Sequence, residues 1–199
     1  MDRESHLGGY VPGGDKWTWF PNLWTWFVHS FEIKSVLDIG CGEGHSTKFF
    51  HDLGCDVLGI EGSSQAIKDS VIPEMIKKYD FCDGPYIPDK TYDLIWCCEF
   101  VEHVEEKYLS NFLKTFESGK YLLLTHATPG QGGYHHVNEQ SFVYWLQYLQ
   151  NIGFKLLPEV TLLAREKSID YFFLRSGLVL FNSKKFPDSK PVNGNLFEF

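Results

Sequence analysis

Two sets of residues in this chain have the types and spacing to do chemistry. The first is the run Val36-Leu-Asp-Ile-Gly-Cys-Gly-Glu-Gly44, with Glu61 following it. The alternate glycines Gly40, Gly42 and Gly44 allow positive φ and let backbone approach a ligand with no Cβ in the way. Residues 45–53 have helical character, so the turn feeds a helix N-terminus with free N–H groups. Glu61 closes the next apolar run, about twenty residues on, where a carboxylate can accept hydrogen bonds from both ribose hydroxyls. The second set is histidine: His103, His126, His135 and His136. Imidazole titrates near neutrality and can take a proton from a reacting group.

The turn narrows the ligand. A dinucleotide fingerprint needs Gly-x-Gly-x-x-Gly, but the third glycine here comes one residue early and His45 takes its place. A phosphate-binding loop needs a lysine after the glycines, and none follows. A nucleoside without a pyrophosphate fits.

These residues need a scaffold, and the chain offers alternating strands and helices. The apolar runs at Val36–Ile39, Cys55–Ile60, Tyr79–Cys82, Tyr92–Cys98, Lys120–His126, Phe154–Leu157 and Leu178–Asn182 read as strands. Helical patterns are read at Pro21–Ser30, 45–53, Pro73–Lys78, Tyr108–Glu117 and Gln140–Ile152. This order predicts a doubly wound, Rossmann-like α/β sheet, with ligands bound at the C-terminal ends of its strands. One domain is expected over 1–199, with a core at 33–182 and a surface tail at 183–199. The aromatic crowd Trp17, Trp19, Phe20, Trp24, Trp26 and Phe27 admits two readings: a helix face packed on the sheet, or a lid over the ligand.

The motifs resemble those of class I S-adenosylmethionine-dependent methyltransferases, over about residues 33–182. That resemblance implies a seven-stranded, mostly parallel sheet with helices on both faces, the last strand running antiparallel between the fifth and sixth. It implies that Gly40, Cys41, Gly42 and Gly44 wrap the cofactor, with Cys41 present as a small residue. Asp38 and Glu43 would meet its ammonium, directly or through water; the alternative for Asp38 is a carboxylate satisfied by the glycine-loop N–H groups. Glu61, with Gly62 behind it, matches the ribose-binding acid. Asp80 would receive the adenine amino group and Phe81 N–H a ring nitrogen. Cys98 and Glu99, inside Asp93–His103, would line the methionine end.

If the acceptor is a hydroxyl, a base must take its proton as the new bond forms. His136 is favoured narrowly over His135, with His103 a further candidate. His126, at the end of the fifth strand, is weighed with them. The loop Thr128-Pro-Gly-Gln-Gly-Gly-Tyr-His-His-Val-Asn138 resembles a segment of methyltransferases encoded beside glycan-building enzymes, which implies a sugar or glycan hydroxyl as acceptor. Two other readings stand beside the base. The histidines could hold the loop through backbone carbonyls, or His135 or His136 could bind a divalent metal with Glu102 or Glu139. The metal is not favoured. His45 and His51 are read as solvated, Trp96 as packed in the sheet, and Leu163–Tyr171 as part of the acceptor pocket.

A net charge of −8 weighs against a nucleic-acid partner, because such affinity comes from cations neutralising phosphates. The five cysteines show neither C-x-x-C nor zinc spacing, which predicts free thiols. Without a signal-like N-terminus or a membrane-length apolar run, a cytoplasmic protein is expected. The competing functions are N-methyl transfer, a non-catalytic binding module and an NAD-dependent oxidoreductase.

Overall fold

The structure is a computed structural model describing residues 4–8, 10–169 and 171–189. Seven strands form one sheet: β1 (Ser35–Ile39), β2 (Asp56–Glu61), β3 (Ile76–Lys78), β4 (Tyr92–Cys97), β5 (Gly119–Leu124), β6 (Phe154–Leu156) and β7 (Leu178–Asn182). Their order is β3-β2-β1-β4-β5-β7-β6. The first five strands pair in parallel, while β7 runs antiparallel to both β5 and β6. This is the expected Rossmann-like sheet.

Side chains alternate across the central strands and divide the core in two. On β4, Leu94 and Trp96 face one core while Ile95 and Cys97 face the other; on β5, Tyr121 and Leu123 oppose Leu122 and Leu124. Both faces are buried, which is why these strands read as unbroken apolar runs. Helices α1 (Pro21–Ser30), α2 (His45–Asp52), α6 (Pro158–Ser168) and α7 (Tyr171–Ser176) cover the first face. Helices α4 (Leu109–Phe116) and α5 (Phe142–Asn151) cover the second. A short helix, α3 (Ser64–Lys68), follows β2 and is capped by the Ser63 hydroxyl on Ala66 N–H.

The aromatic crowd divides: Phe20, Trp24, Trp26 and Phe27 are buried in the core, whereas Trp17 and Trp19 are exposed and Trp19 lines a cavity at the C-terminal ends of the strands. Trp24 and Phe27 of α1 are fully buried, and Trp24 packs edge-on against Trp96 with centroids 5.4 Å apart. Trp96 itself is buried in the sheet. The expected helix over Pro73–Lys78 is corrected: only Pro73–Met75 makes a 3-10 turn, and Ile76–Lys78 is β3. A single turn has little stability alone, whereas Ile76 gains a ladder with Gly59 on β2. The strand expected at Tyr79–Cys82 is corrected with it. Asp80 caps a 3-10 turn over Phe81–Asp83, just past the C-terminal end of β3. Of Leu163–Tyr171, residues 163–168 belong to α6, which packs on α1, and residue 170 lies outside the described residues. Residues 183–189 are turns, and the rest of the expected tail, 190–199, lies outside the described residues. No helix among the described residues is long and apolar enough to cross a membrane.

Candidate active site

The C-terminal ends of β1, β2, β3 and β4 open into a cavity of about 760 Å³. That lies within the range of small-molecule sites, roughly 300–1,000 Å³. One flank is the glycine turn after β1. Gly40 has φ +73, and a Cβ there would lie 2.6 Å from the Phe100 ring, so both conformation and crowding require glycine. Gly42 N–H donates to Glu61 Oε2 at 2.8 Å, and Ser63 N–H donates to Oε1 at 2.7 Å. Glu61 therefore holds the turn while keeping further lone pairs for a ligand. Its burial at the cavity wall raises its pKa.

Asp38 lines the cavity, and its partners lie on α2. Its carboxylate accepts the Ser46 hydroxyl at 2.6 Å and the Thr47 hydroxyl at 2.7 Å, pinning the first turn of α2 to β1. The partners are α2 hydroxyls and not glycine-loop N–H groups. Burial pushes its pKa up to about 6 against the pull of those hydroxyls. Glu43 is likewise occupied: both its oxygens accept Gly13 N–H at 3.1 Å, and Oε2 lies 3.2 Å from His45 Nε2. His45 thus lines the cavity and is only partly solvated. Cys41 is buried with its thiol pKa raised by that burial, as suits a small inert residue.

Asp80 and Phe81 line the nucleoside flank. Asp80 Oδ1 accepts Cys82 N–H at 2.8 Å, and Oδ2 meets His6 Nε2 at 2.6 Å. His6 belongs to the N-terminal residues, 4–8 and 10–16, several of which line the cavity. Glu4 accepts Ser64 N–H at 2.9 Å, Tyr10 donates to Asp69 at 2.9 Å, and Gly13 reaches Glu43. In the sequence the stretch carries Gly8, Pro12, Gly13 and Gly14, a loop composition with no core pattern. Its role depends on single long-range hydrogen bonds, which leave no periodic signal.

The other flank gathers titratable groups. Glu99, past β4, has φ +48, a conformation few non-glycine residues adopt. Its N–H donates to Thr125 Oγ1 at 2.8 Å, and its Oε2 accepts Gln131 Nε2 at 3.1 Å. Glu102 is fully buried behind it, with Oε1 accepting Ala127 N–H at 3.1 Å. Glu99 Oε1 and Glu102 Oε2 are buried without a hydrogen-bond partner. Burial raises both pKa values, and Glu102 goes further because the Glu99 charge lies beside it. His103 Nδ1 donates to the His135 carbonyl at 3.3 Å. Burial and the neighbouring His136 lower its pKa to about 4, so the ring is neutral near pH 7. The His103 and His136 rings meet edge-to-face, centroids 4.9 Å apart.

Of the paired histidines, His136 lines the cavity and His135 does not. His135 sits at φ +52 and contributes its backbone carbonyl to His103 Nδ1. His126 is buried away from the cavity, its Nδ1 donating to the Ala127 carbonyl at 3.0 Å. The cavity therefore brings together Asp38, Gly40, Cys41, Gly42, Glu43, Glu61, Asp80, Phe81, Cys98, Glu99, His103 and His136. Gly44 and Gly62 stand behind the wall. Gly44 precedes α2 at φ +80, and Gly62 makes room for Leu7, whose Cδ2 would lie 2.8 Å from an added Cβ. Glu102, His103 and His136 each offer one atom within 4.8 Å of the others, a set able to hold a cation. The metal expectation changes membership accordingly: His103 replaces His135, and Glu139 turns instead to His136 Nδ1 at 2.8 Å. None of residues 163–169 lines the cavity; of the segment after them, Phe172 does.

Known proteins sharpen this picture. A family model described as "Methyltransferase domain" matches residues 21–176. A mitochondrial ubiquinone biosynthesis O-methyltransferase of Schizosaccharomyces pombe is 32% identical over 85 residues, 38% of this chain and 31% of that protein. A ubiquinone biosynthesis O-methyltransferase of Paraburkholderia xenovorans is 34% identical over 80 residues, 37% of this chain and 34% of that protein. The chain thus spans about a third of the length of these curated relatives. Among solved structures, a SAM-dependent methyltransferase from Archaeoglobus fulgidus superposes with a TM-score of 0.59 at 17% identity, covering 85% of this chain and 94% of that one.

Proposed function

The chain belongs to the methyltransferase domain family, and from that premise we propose that it transfers a methyl group from S-adenosylmethionine to a phenolic hydroxyl of a small acceptor. The observation that carries this reading is one cavity holding the glycine turn, Glu61 and Asp80 on one flank and His136 on the other. The cofactor supplies an electrophilic methyl group on a sulfonium. Glu61 and Asp80 bind its nucleoside through their remaining lone pairs, and the turn excludes side chains from the nucleoside's path. With the cofactor's methyl group in reach of the acceptor oxygen, His136 Nε2 would take the hydroxyl proton as that oxygen is methylated.

Two features support a phenol over the sugar hydroxyl implied by the histidine loop. The cavity wall carries the aromatic residues Trp19, Phe100, Tyr134 and Phe172, an apolar lining suited to an aromatic acceptor. A phenol has a pKa of about 10, so an imidazole base takes its proton far more readily than that of an aliphatic alcohol. The ubiquinone biosynthesis relatives, named as O-methyltransferases, support oxygen as the acceptor atom. The test is transfer of labelled methyl from S-adenosylmethionine to a panel of catechols, methyl glycosides and primary amines. Labelled catechol supports the reading; labelled glycoside or amine alone overturns it.

A second reading of the same flank is favoured by one observation. Glu102 Oε2 and Glu99 Oε1 are buried and unpartnered beside His103 and His136. Ionised together, two adjacent buried carboxylates would be costly; a shared proton relieves that cost in the raised-pKa pair, and a divalent ion on Glu102, His103 and His136 would take the place of that proton and bind the acceptor oxygen. Loss of turnover in chelator, restored by manganese or magnesium, separates this reading from a metal-free base.

A further inference from the structure

The glycine-rich loop after β5 does more than connect. Gly130 N–H donates to Glu139 Oε2 at 2.8 Å and Gly132 N–H donates to Oε1 at 2.6 Å. The carboxylate is thereby gripped by two backbone donors, as an anion is in a nest of amides. Its Oε1 in turn accepts from His136 Nδ1 at 2.8 Å. Gly133 gives the ring its place: a Cβ there would lie 2.3 Å from His136 Nε2. The loop's own position is fixed by the β4 side of the sheet. Val137 and Asn138 N–H both donate to the Glu102 carbonyl at 3.0 Å, and Asn138 Nδ2 donates to the Val104 carbonyl at 3.3 Å.

We propose that Glu139 is a positioning residue, which by accepting the Nδ1 proton of His136 in a hydrogen bond fixes the tautomer that presents the Nε2 lone pair to the cavity. An imidazole that carries its proton on Nδ1 has its only acceptor on Nε2, and a carboxylate partner selects that form. The pair is only partly exposed, with relative side-chain exposures of 11% for His136 and 17% for Glu139, so water competes weakly for the ring. The hydrogen bond from His136 also holds the Glu139 carboxyl below its usual pKa, keeping it an acceptor. The role deepens the methyl-transfer reading and rests on it for its purpose, because both a base and a metal ligand need that same free Nε2. Sequence reading weighs Glu139 as a metal ligand; the structure gives it to His136 instead.

The test reads the ring directly and needs no acceptor. Long-range proton–nitrogen correlation spectra of the full chain, recorded at mildly alkaline pH, report which nitrogen of each histidine carries the proton. The His136 signals are identified by their absence in His136→Gln. Wild type is expected to show the Nδ1–H tautomer, and Glu139→Ala to lose that preference in favour of Nε2–H. A wild-type ring protonated on Nε2 overturns the proposal without any variant, and an unchanged tautomer in a folded Glu139→Ala overturns it too. Titration of the same samples with S-adenosylhomocysteine keeps the two readings apart. Failure to bind it in wild type defeats the methyltransferase reading, whereas a changed tautomer with binding intact is expected of Glu139→Ala.

Discussion

Two glycine turns face each other across this cavity, and each closes on a carboxylate. After β1, Gly42 N–H donates to Glu61, which the neighbouring strand β2 delivers. After β5, Gly130 and Gly132 N–H donate to Glu139, which lies a few residues further along the same loop. The difference lies in what the carboxylate does next. Glu61 remains in the cavity wall with lone pairs to spare. Glu139 stands outside the wall and spends an oxygen on His136. The same backbone device thus makes a ligand-binding edge in one place and an aiming device in the other. A strand-borne carboxylate is fixed by the sheet register, so it can serve as a rigid contact. A loop-borne one needs its nest to become rigid at all.

The comparison can be broken at either end, and the largest effect is expected on the β5 side. His136→Ala should lower methyl transfer by about 10²–10⁴-fold, the usual contribution of a general acid or base, while S-adenosylhomocysteine affinity stays unchanged. Equal loss of both would erase the division between the flanks. On the β1 side, Glu61→Ala removes a carboxylate that holds the turn and faces the ligand. Hydrogen bonds to charged groups contribute about 1.5–3 kcal/mol, so S-adenosylhomocysteine should bind about 10–150-fold more weakly by calorimetry.

Asp38 yields a prediction in pH. Its folded pKa of about 6 lies above the unfolded value, so the protonated form is the one that folding favours. The stability it contributes is full below the unfolded pKa and is lost as pH rises through the folded one. That loss amounts to about 2 kcal/mol between pH 4 and 7. Asp38→Asn, which stays neutral, should cost less stability relative to wild type at pH 7 than at pH 4, by that amount, in denaturant titrations at the two pH values. A constant difference would mean that Asp38 does not titrate there. The smallest effect belongs to His6, whose contact with Asp80 is partly exposed and is worth at most about 1 kcal/mol. His6→Ala should change S-adenosylhomocysteine affinity by no more than about fivefold.

Most of the β1 flank was legible in the sequence, and the reason is locality. Gly40, Gly42, Gly44 and Glu61 belong to one strand–turn–helix–strand unit, so their spacing alone predicts their meeting. The strands β4 and β5 are equally plain, because burial on both faces leaves no polar break. β3 is different. Ile76-Lys77-Lys78 is a three-residue edge strand with two exposed lysines, and only its ladder with β2 makes it a strand. α6 does carry helix signals, Pro158 in its first turn and Arg165 and Lys167 in its last, so its packing against α1 is a placement that sequence reasoning could have reached. The hold of Glu4 on Ser64, His6 on Asp80 and Gly13 on Glu43 could not be read, since each bond joins positions far apart in the chain. The choice of His136 over His135 also needed coordinates. The positive φ of His135 turns the two side chains apart, and no residue type forces that conformation there.

The central claim is that one flank binds the nucleoside and the other prepares the acceptor. Calorimetric titration of S-adenosylhomocysteine into wild type, Glu61→Ala and His136→Ala tests it most directly. The expected result is saturable binding to wild type, the same affinity in His136→Ala, and a loss of at least about tenfold in Glu61→Ala. Absence of binding to folded wild type, or an equal loss in both variants, would contradict it.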